Sequence, residues 1–265
     1  MKAEARQIVL KSRAEIEKMR ASGRLVHQVL QALAEMVRPG VSTAALNDRA
    51  ATLIQRAGAT PLFLGVRNPQ ARFPFPAVIC ASVNEEIVHG VPDDRPLQAG
   101  DIVSVDCGVR LNGYCGDSAY TYAVGKVSGQ TQRLLNATQE ALTLAISEMR
   151  PYERWSRIAR KIQAYVEKFG YGVVREFVGH GIGREMHEEP KVPNYFDRSL
   201  RGSDFELLPG MVLAVEPMVT GGRPDWEYRD RDRWSVVTKD RSLAAHYEHT
   251  VAVTENGIEI LTDGK

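Results

Sequence analysis

The chain repeats itself once, and this repeat limits its possible folds more than any other feature. "EMVRPGVSTAALNDRAATLIQRAG" (35–58) can be laid on "EMRPYERWSRIARKIQAYVEKFG" (148–170). Arg38-Pro39 then meets Arg150-Pro151, and Leu46, Ala50 and Ile54 meet Ile158, Ile162 and Val166. Gly58 meets Gly170, and all these pairs share an offset of 112. Further on, "AGDIVSVD" (99–106) lies on "PGMVLAVE" (209–216) at an offset of 110. Each is a glycine, an apolar strand and a terminal carboxylate. "VHG" at 88–90 has a counterpart in "GHG" at 179–181. Two like halves about a pseudo-two-fold axis would bring Asp106 and Glu216 together near that axis. No low-complexity linker intervenes, so residues 1–265 read as a single domain of two like halves, about 12–125 and 128–262.

The element pattern fits this division. "KSRAEIEKMRASGRLVHQVLQALAEMVRPG" predicts a long helix. Ser12 and Glu15 supply a capping box, and Val26, Val29, Leu30, Leu33 and Val37 follow helical spacing until Pro39-Gly40. A second helix follows Ser42 and Thr43 and stops at Gly58. Residues 60–125 read mostly as strands with turns at "NPQ", "VPDD" and "LNGY". Helices return at about 128–150 and 153–168. Strands then fill 172–180, 211–220, 233–238 and 246–261. "GGRPDWEYRDRDRW" (221–234) alternates charges and reads as a solvated hairpin or loop.

Four acids stand at the ends of apolar strands: Asp106, Asp117, Glu216 and Glu248. The turn at Asn112-Gly113 lets a hairpin bring Asp106 and Asp117 side by side. Taken singly, each acid reads as a strand cap or the partner of an arginine. Taken together, buried carboxylates are costly unless paired or coordinated. "GHGIGREMHEEP" (179–190) adds His180 and His187. Four carboxylates and His180 make a hard, oxygen-rich donor set. It suits manganese, iron(II) or cobalt better than a structural zinc with thiolates. About four negative charges call for two divalent ions roughly 3.5 Å apart, the geometry of two-metal hydrolysis. Cys107 follows Asp106, so its side chain points the opposite way along a strand. His27 reads as solvent-facing or packed, and His246 and His249 as structural polar groups flanking Glu248. Alone, His89 would be a turn residue and Trp234 a core tryptophan. His187 lies seven residues beyond His180, further along an extended strand than one ion reaches. The glycines of this stretch would bend the chain and let backbone approach a substrate.

The motifs "SVNEEIVHGVP", "GDIVSVDCG", "GYCGDSAYT", "GHGIGREMHEEP", "PGMVLAVEPM" and "TKDRSLAAHYEHTVAVTENG" resemble those of type I methionine aminopeptidases of the short form, without an N-terminal zinc-binding extension. The resemblance runs from about residue 5 to 262. It implies the α+β, pseudo-two-fold "pita-bread" fold, with a central antiparallel sheet covered by helices. It implies two divalent ions (cobalt, manganese, iron(II) or zinc) on Asp106, Asp117, His180, Glu216 and Glu248, with Asp117 and Glu248 bridging. Asp106 would complete one ion's shell, and His180 and Glu216 the other's. It makes Glu216 the general base, His187 the donor to the scissile carbonyl, and His89 a second non-ligand histidine holding the substrate amide or protonating the leaving nitrogen. The substrate's free amine at one ion would limit cleavage to chain ends. Phe75, Cys80, Met186 and Trp234 fall at or near the methionine pocket. The segment from Gly65 to Cys80 is longer than the family's usual pocket loop, Met186 stands where an aromatic is common, and Tyr152 replaces the frequent glycine of the second turn.

The implied substrate is the N-terminal methionine of nascent polypeptides, before a small second residue, with the ribosome as the place where such chains emerge. A cytoplasmic monomer is implied. The net charge of +1 offers no field for nucleic acid or an anionic membrane. No apolar run approaches the roughly 20 residues of a membrane helix. "MKAEARQIVL" lacks a signal-peptide core. Three cysteines, with no CxxC pair, read as reduced thiols of a cytosolic protein. Two other classes compete. A binding protein on the same fold would have lost ligands, and all five are present. An Xaa-Pro peptidase shares the ligand set but usually adds a large N-terminal domain, for which there is no room before residue 5.

Overall fold

The computed structural model describes residues 7–265. The start of the segment read for a signal peptide, and the first residues of the family resemblance, lie outside them.

Helix α1 (Arg13–Ala34) begins with Ser12 accepting from the Glu15 N–H while the Glu15 carboxylate accepts from the Ser12 N–H. It stops before Val37. Met36 N–H bonds back to Leu33 in a tightened last turn, and Pro39 follows. Helix α2 (Thr43–Arg56) is capped by the Ser42 hydroxyl, which accepts from Ala45 N–H at 3.2 Å. Leu46, Ala50 and Ile54 form its fully buried face. Strands β1 (Thr60–Pro61), β2 (Cys80–Val83), β3 (Glu86–Val88), β4 (Ile102–Leu111) and β5 (Tyr114–Ala123) follow. Residues 62–79 depart from the expected strands. Pro69, Pro74 and Pro76 remove ladder donors there. The loop instead closes on itself, Gly65 N–H to Phe75 C=O and Phe75 N–H to Val66 C=O, both at 2.8 Å.

Helices α3 (Gly129–Glu148) and α4 (Trp155–Glu167) open the second part, and Ile158, Ile162 and Val166 are buried on α4. Ten short strands complete it: β6 (Gly172–Val173), β7 (Gly179–Gly181), β8 (Glu188–Val192), β9 (Val212–Val215), β10 (Met218–Thr220), β11 (Trp226–Tyr228), β12 (Val236–Thr238), β13 (Ala244–His246), β14 (His249–Thr254) and β15 (Gly257–Ile260). The expected strands at 172–180 and 233–238 shrink to their ends. Segment 221–234 forms one arm of a hairpin, as one of the two expected forms, but it is not solvated throughout. Trp226–Tyr228 pairs with β12, and Arg229 meets the buried Glu86 at 2.6 Å. The buried Asp232 carboxylate accepts from Trp234 N–H and Ser235 N–H, each at 2.7 Å.

All the strand pairs described are antiparallel. Two sheets matter most: β1-β4-β2 with β5 on β4, and β15-β14-β9-β7-β8. They join where β5 meets β14. Glu248 N–H donates to Ala119 C=O, and the Thr250 hydroxyl donates to Asp117 C=O while accepting from Asp117 N–H. Helices α1 and α2 pack their apolar faces on one sheet, with Val103, Val105 and Cys107 beneath. Helices α3 and α4 pack on Leu213, Val215 and Val251 of the other.

Several turns recur in both parts. Gly58 and Gly170 end their helices at φ 66° and 76°, and Gly100 and Gly210 precede their strands at φ 100° and 95°. Gly40, at φ 91°, is matched by Tyr152 at φ 69°. A left-handed non-glycine residue carries about 1–2 kcal/mol of strain. Glycine loses part of that gain again through its freer unfolded chain. Tyr152 is 60% exposed, so little packing is at stake. Tyr152→Gly is therefore expected to stabilise the protein by about 1 kcal/mol. A higher urea midpoint at unchanged slope is the expected observation, and an equal or lower midpoint contradicts it.

Candidate metal centre and side-chain pocket

Five neighbouring strands each present one donor at the joint between the sheets. In spatial order β4 carries Asp106, β5 carries Asp117, the start of β14 follows Glu248, the end of β9 precedes Glu216, and β7 carries His180. Asp117 lies opposite Gly108, two residues from Asp106, so the two aspartates are diagonal neighbours on one face. Cys107 points the other way, into the helix-covered core, as its place after Asp106 predicts.

Donor atoms of Asp117, His180 and Glu248 lie within 4.8 Å of one another, and so do those of Glu216, His246 and Glu248. Asp106 belongs to neither group and sits beside Asp117. Asp106 Oδ1, Asp117 Oδ1, Glu248 Oε1 and His246 Nε2 are buried with no hydrogen-bond partner. Orphaned buried acceptors of this kind are costly, and a cation is the partner that satisfies them all. In the field of the protein's own groups, burial and the surrounding acids raise Asp106 and Glu248 well above the usual carboxylate range. Burial raises Asp117 to about 6. Burial acts against Glu216 too, but the imidazoles of His246, His180 and His187 outweigh it and hold that group low. His180 directs Nδ1 at the Gly181 carbonyl, 2.9 Å away, which leaves Nε2 free to face the acids. The residues therefore fit divalent metal.

A cleft of about 360 Å³ opens beside the acids. All eleven residues singled out in the sequence line it: Phe75, Cys80, His89, Asp106, Asp117, His180, Met186, His187, Glu216, Trp234 and Glu248. Its apolar end is a cluster of Phe63, Phe75, Ala77, Cys80 and Trp234, with Met186 against it. Trp234 stands edge-on to Phe75 at 5.2 Å and donates its indole N–H to the Phe73 carbonyl at 2.7 Å. The long loop thus supplies a wall of the pocket and is fixed to it. His89 holds the left-handed backbone at φ 58° and stands edge-on to Phe177 at 5.5 Å. Burial lowers it to about 4, so its ring is neutral at pH 7 and donates from one nitrogen only.

The structure corrects three expectations. His187 is not far from His180: the chain folds back through 182–187, and the rings lie 4.3 Å apart. The glycines flanking His180 are held within β7 against neighbouring strands, and the pairing of β7 with β8 shifts register between His180 and Gly181. A Cβ on Gly179 would come 2.3 Å from the Ala214 carbonyl oxygen and one on Gly181 2.2 Å from that of Glu189, so they allow close approach of neighbouring strands. His246 is not a bystander, since it lines the cleft with Nε2 3.6 Å from Glu216 Oε2. His249 does face away, bonded to Thr262 at 2.8 Å. The sequence holds a signal for His246. It stands two residues before Glu248, and such residues share a strand face.

Comparison with known proteins agrees with a divalent-metal site. The profile of metallopeptidase family M24 matches residues 17–255. A methionine aminopeptidase of Clostridium acetobutylicum is 48% identical, over 96% of this chain and 98% of its own. The crystal structure of methionine aminopeptidase from Rickettsia prowazekii superposes with a TM-score of 0.90 at 39% identity, covering 97% of this chain and all of that one. An Xaa-Pro dipeptidase from Bacillus anthracis shares the fold, with a TM-score of 0.75 at 24% identity, but this chain spans only 62% of its length.

Proposed function

Since the chain belongs to metallopeptidase family M24, among its methionine aminopeptidases, we propose that the cleft removes N-terminal methionine with the five donors as ligands of two divalent ions. The observation that carries this reading is the set of orphaned carboxylate oxygens beside a buried apolar cluster that lines the same cleft. Asp117 and Glu248 would be held in common by both ions, with Asp106 on one side and His180 and Glu216 on the other. Cobalt, manganese, iron(II) and zinc are the candidate ions. When bound, they supply Lewis acidity and lower the pKa of water.

The chain's own groups do the rest. The apolar cluster takes the methionine side chain, with the flexible Met186 fitting itself to the thioether. Glu216 takes the proton from the attacking water and passes it toward the leaving nitrogen. His187, at the open edge of the cleft, donates to the scissile carbonyl as it becomes oxyanionic. His89 holds the substrate amide. A small second residue is preferred. The chain works as a cytoplasmic monomer on nascent polypeptides at the ribosome. Three free cysteines and no disulfide support a reducing compartment. No helix among the described residues is long and apolar enough to cross a membrane. The recurring left-handed turns and the paired helix-on-sheet packing support a single catalytic domain, 1–265, built of two like halves.

The test is release of methionine from Met-Ala-Ser against release of the first residue from an Xaa-Pro peptide, each with added Co(II) or Mn(II). Turnover of the first supports the reading, and turnover of only the second overturns it. His187→Ala is expected to lower kcat by about 10²–10³-fold with metal stoichiometry unchanged. Loss of metal in that variant would instead make His187 a ligand.

A further inference from the structure

His246 lies outside the five-residue donor set, yet it is built into the centre as firmly as any member. It is 2% exposed. Strand β13 holds its backbone on both sides. Met218 pairs with it across β10, and Thr121 Oγ1 accepts from its N–H at 2.9 Å and donates to its C=O at 2.8 Å. The ring is thus carried on two strands. Its Nε2 points at the acids, 3.6 Å from Glu216 Oε2 and 4.0 Å from Glu248 Oε2, and makes no hydrogen bond.

These distances choose between two roles. A hydrogen bond from imidazole to carboxylate needs about 2.7–3.2 Å, so none is formed. Two donors that share one ion at about 2.1 Å each, at tetrahedral angles, lie roughly 3.4 Å apart. The separation from Glu216 is close to that value. It equals the 3.6 Å between His180 Nε2 and Glu216 Oε1 on the other side of the same carboxylate. Glu216 therefore stands between two imidazole nitrogens, related to both in the same way. A buried nitrogen left without a partner is unfavourable, and coordination removes that cost.

We infer that His246 Nε2 is a sixth protein ligand, joining Glu216 and Glu248 on one ion. The inference rests on the dinuclear reading above and deepens it. A second imidazole makes the donor set softer than four carboxylates and one histidine. It moves the preference from manganese toward iron(II), cobalt or zinc.

The test counts imidazoles directly. The metal-free protein is loaded with Co(II), and hyperfine-shifted, solvent-exchangeable imidazole N–H signals are counted by proton NMR. Two such signals are expected in the unaltered protein, one each from His180 and His246. In His246→Gln one signal disappears, and calorimetry shows Co(II) affinity at one site weakened more than about 10-fold, while Mn(II) affinity changes less. A single signal in the unaltered protein overturns the inference, since it leaves His246 as a neighbour of Glu216 only. That count needs no variant, so poor folding of His246→Gln leaves it decisive. Failure of the dinuclear reading looks different: the unaltered protein then takes up fewer than two Co(II) ions.

Discussion

Glu216→Gln is expected to bind metal and turn over almost no substrate. The amide keeps the size of the side chain and one oxygen for a cation. It cannot accept a proton, and a positioned general base is worth about 10²–10⁴-fold in rate. Steady-state release of methionine from Met-Ala-Ser at saturating metal should therefore show kcat reduced by that factor, with bound metal close to the unaltered protein. Glu216→Ala should lose turnover as completely and weaken one ion as well. A Glu216→Gln protein within a few-fold of normal kcat would remove Glu216 from the proton path. The position of Glu216 makes this a sharp test. It follows β9 at the joint of the sheets, its carboxylate lies between His180 and His246, and these imidazoles keep it ionised despite burial.

Glu248→Ala should abolish activity by a different route, through loss of the metal pair. Glu248 is the one residue common to both close donor groups, and its Oε1 is buried without a partner. A carboxylate kept for structure would destabilise the metal-free protein when removed. One kept for metal should not, because its burial is unfavourable until a cation is present. The metal-free Glu248→Ala protein is therefore expected to melt at or above the temperature of the unaltered metal-free protein. Ligand binding at 100 times its dissociation constant stabilises by about 2.7 kcal/mol. The unaltered protein should gain about that much on adding metal, and the variant little of it. A variant that is less stable without metal, yet gains normally from it, would make Glu248 structural.

Much of this site is legible in the sequence because its signals are local. Carboxylates beside apolar strand residues are costly when buried unless paired or coordinated, so Asp106, Asp117, Glu216 and Glu248 stand out as a set, although Asp106 and Asp117 lie within β4 and β5 rather than at their ends. The helix faces of Leu46, Ala50 and Ile54, and of Ile158, Ile162 and Val166, follow from spacing and are buried. What stays hidden depends on how distant segments meet. Nothing local tells that residues 182–187 fold back and place His187 against His180. Nothing local tells that the Phe73 carbonyl receives the Trp234 indole and fastens the long loop to the pocket. The close approach at Gly179 and Gly181 is a property of β8 and β9, not of the glycines' own segment. His246 is the exception. Its alternation with Glu248 is visible, but grouping it with His249 as a flanking polar residue hides the difference between the two strand faces.

The most direct measurement is a titration of the metal-free protein with Co(II) or Mn(II) while methionine release from Met-Ala-Ser is followed in the same samples. The expected result is no release without metal, release that grows as the ions are bound, saturation at two per chain, and reversal by a chelator. Methionine release from metal-free protein, or full metal uptake with no release, would contradict the account.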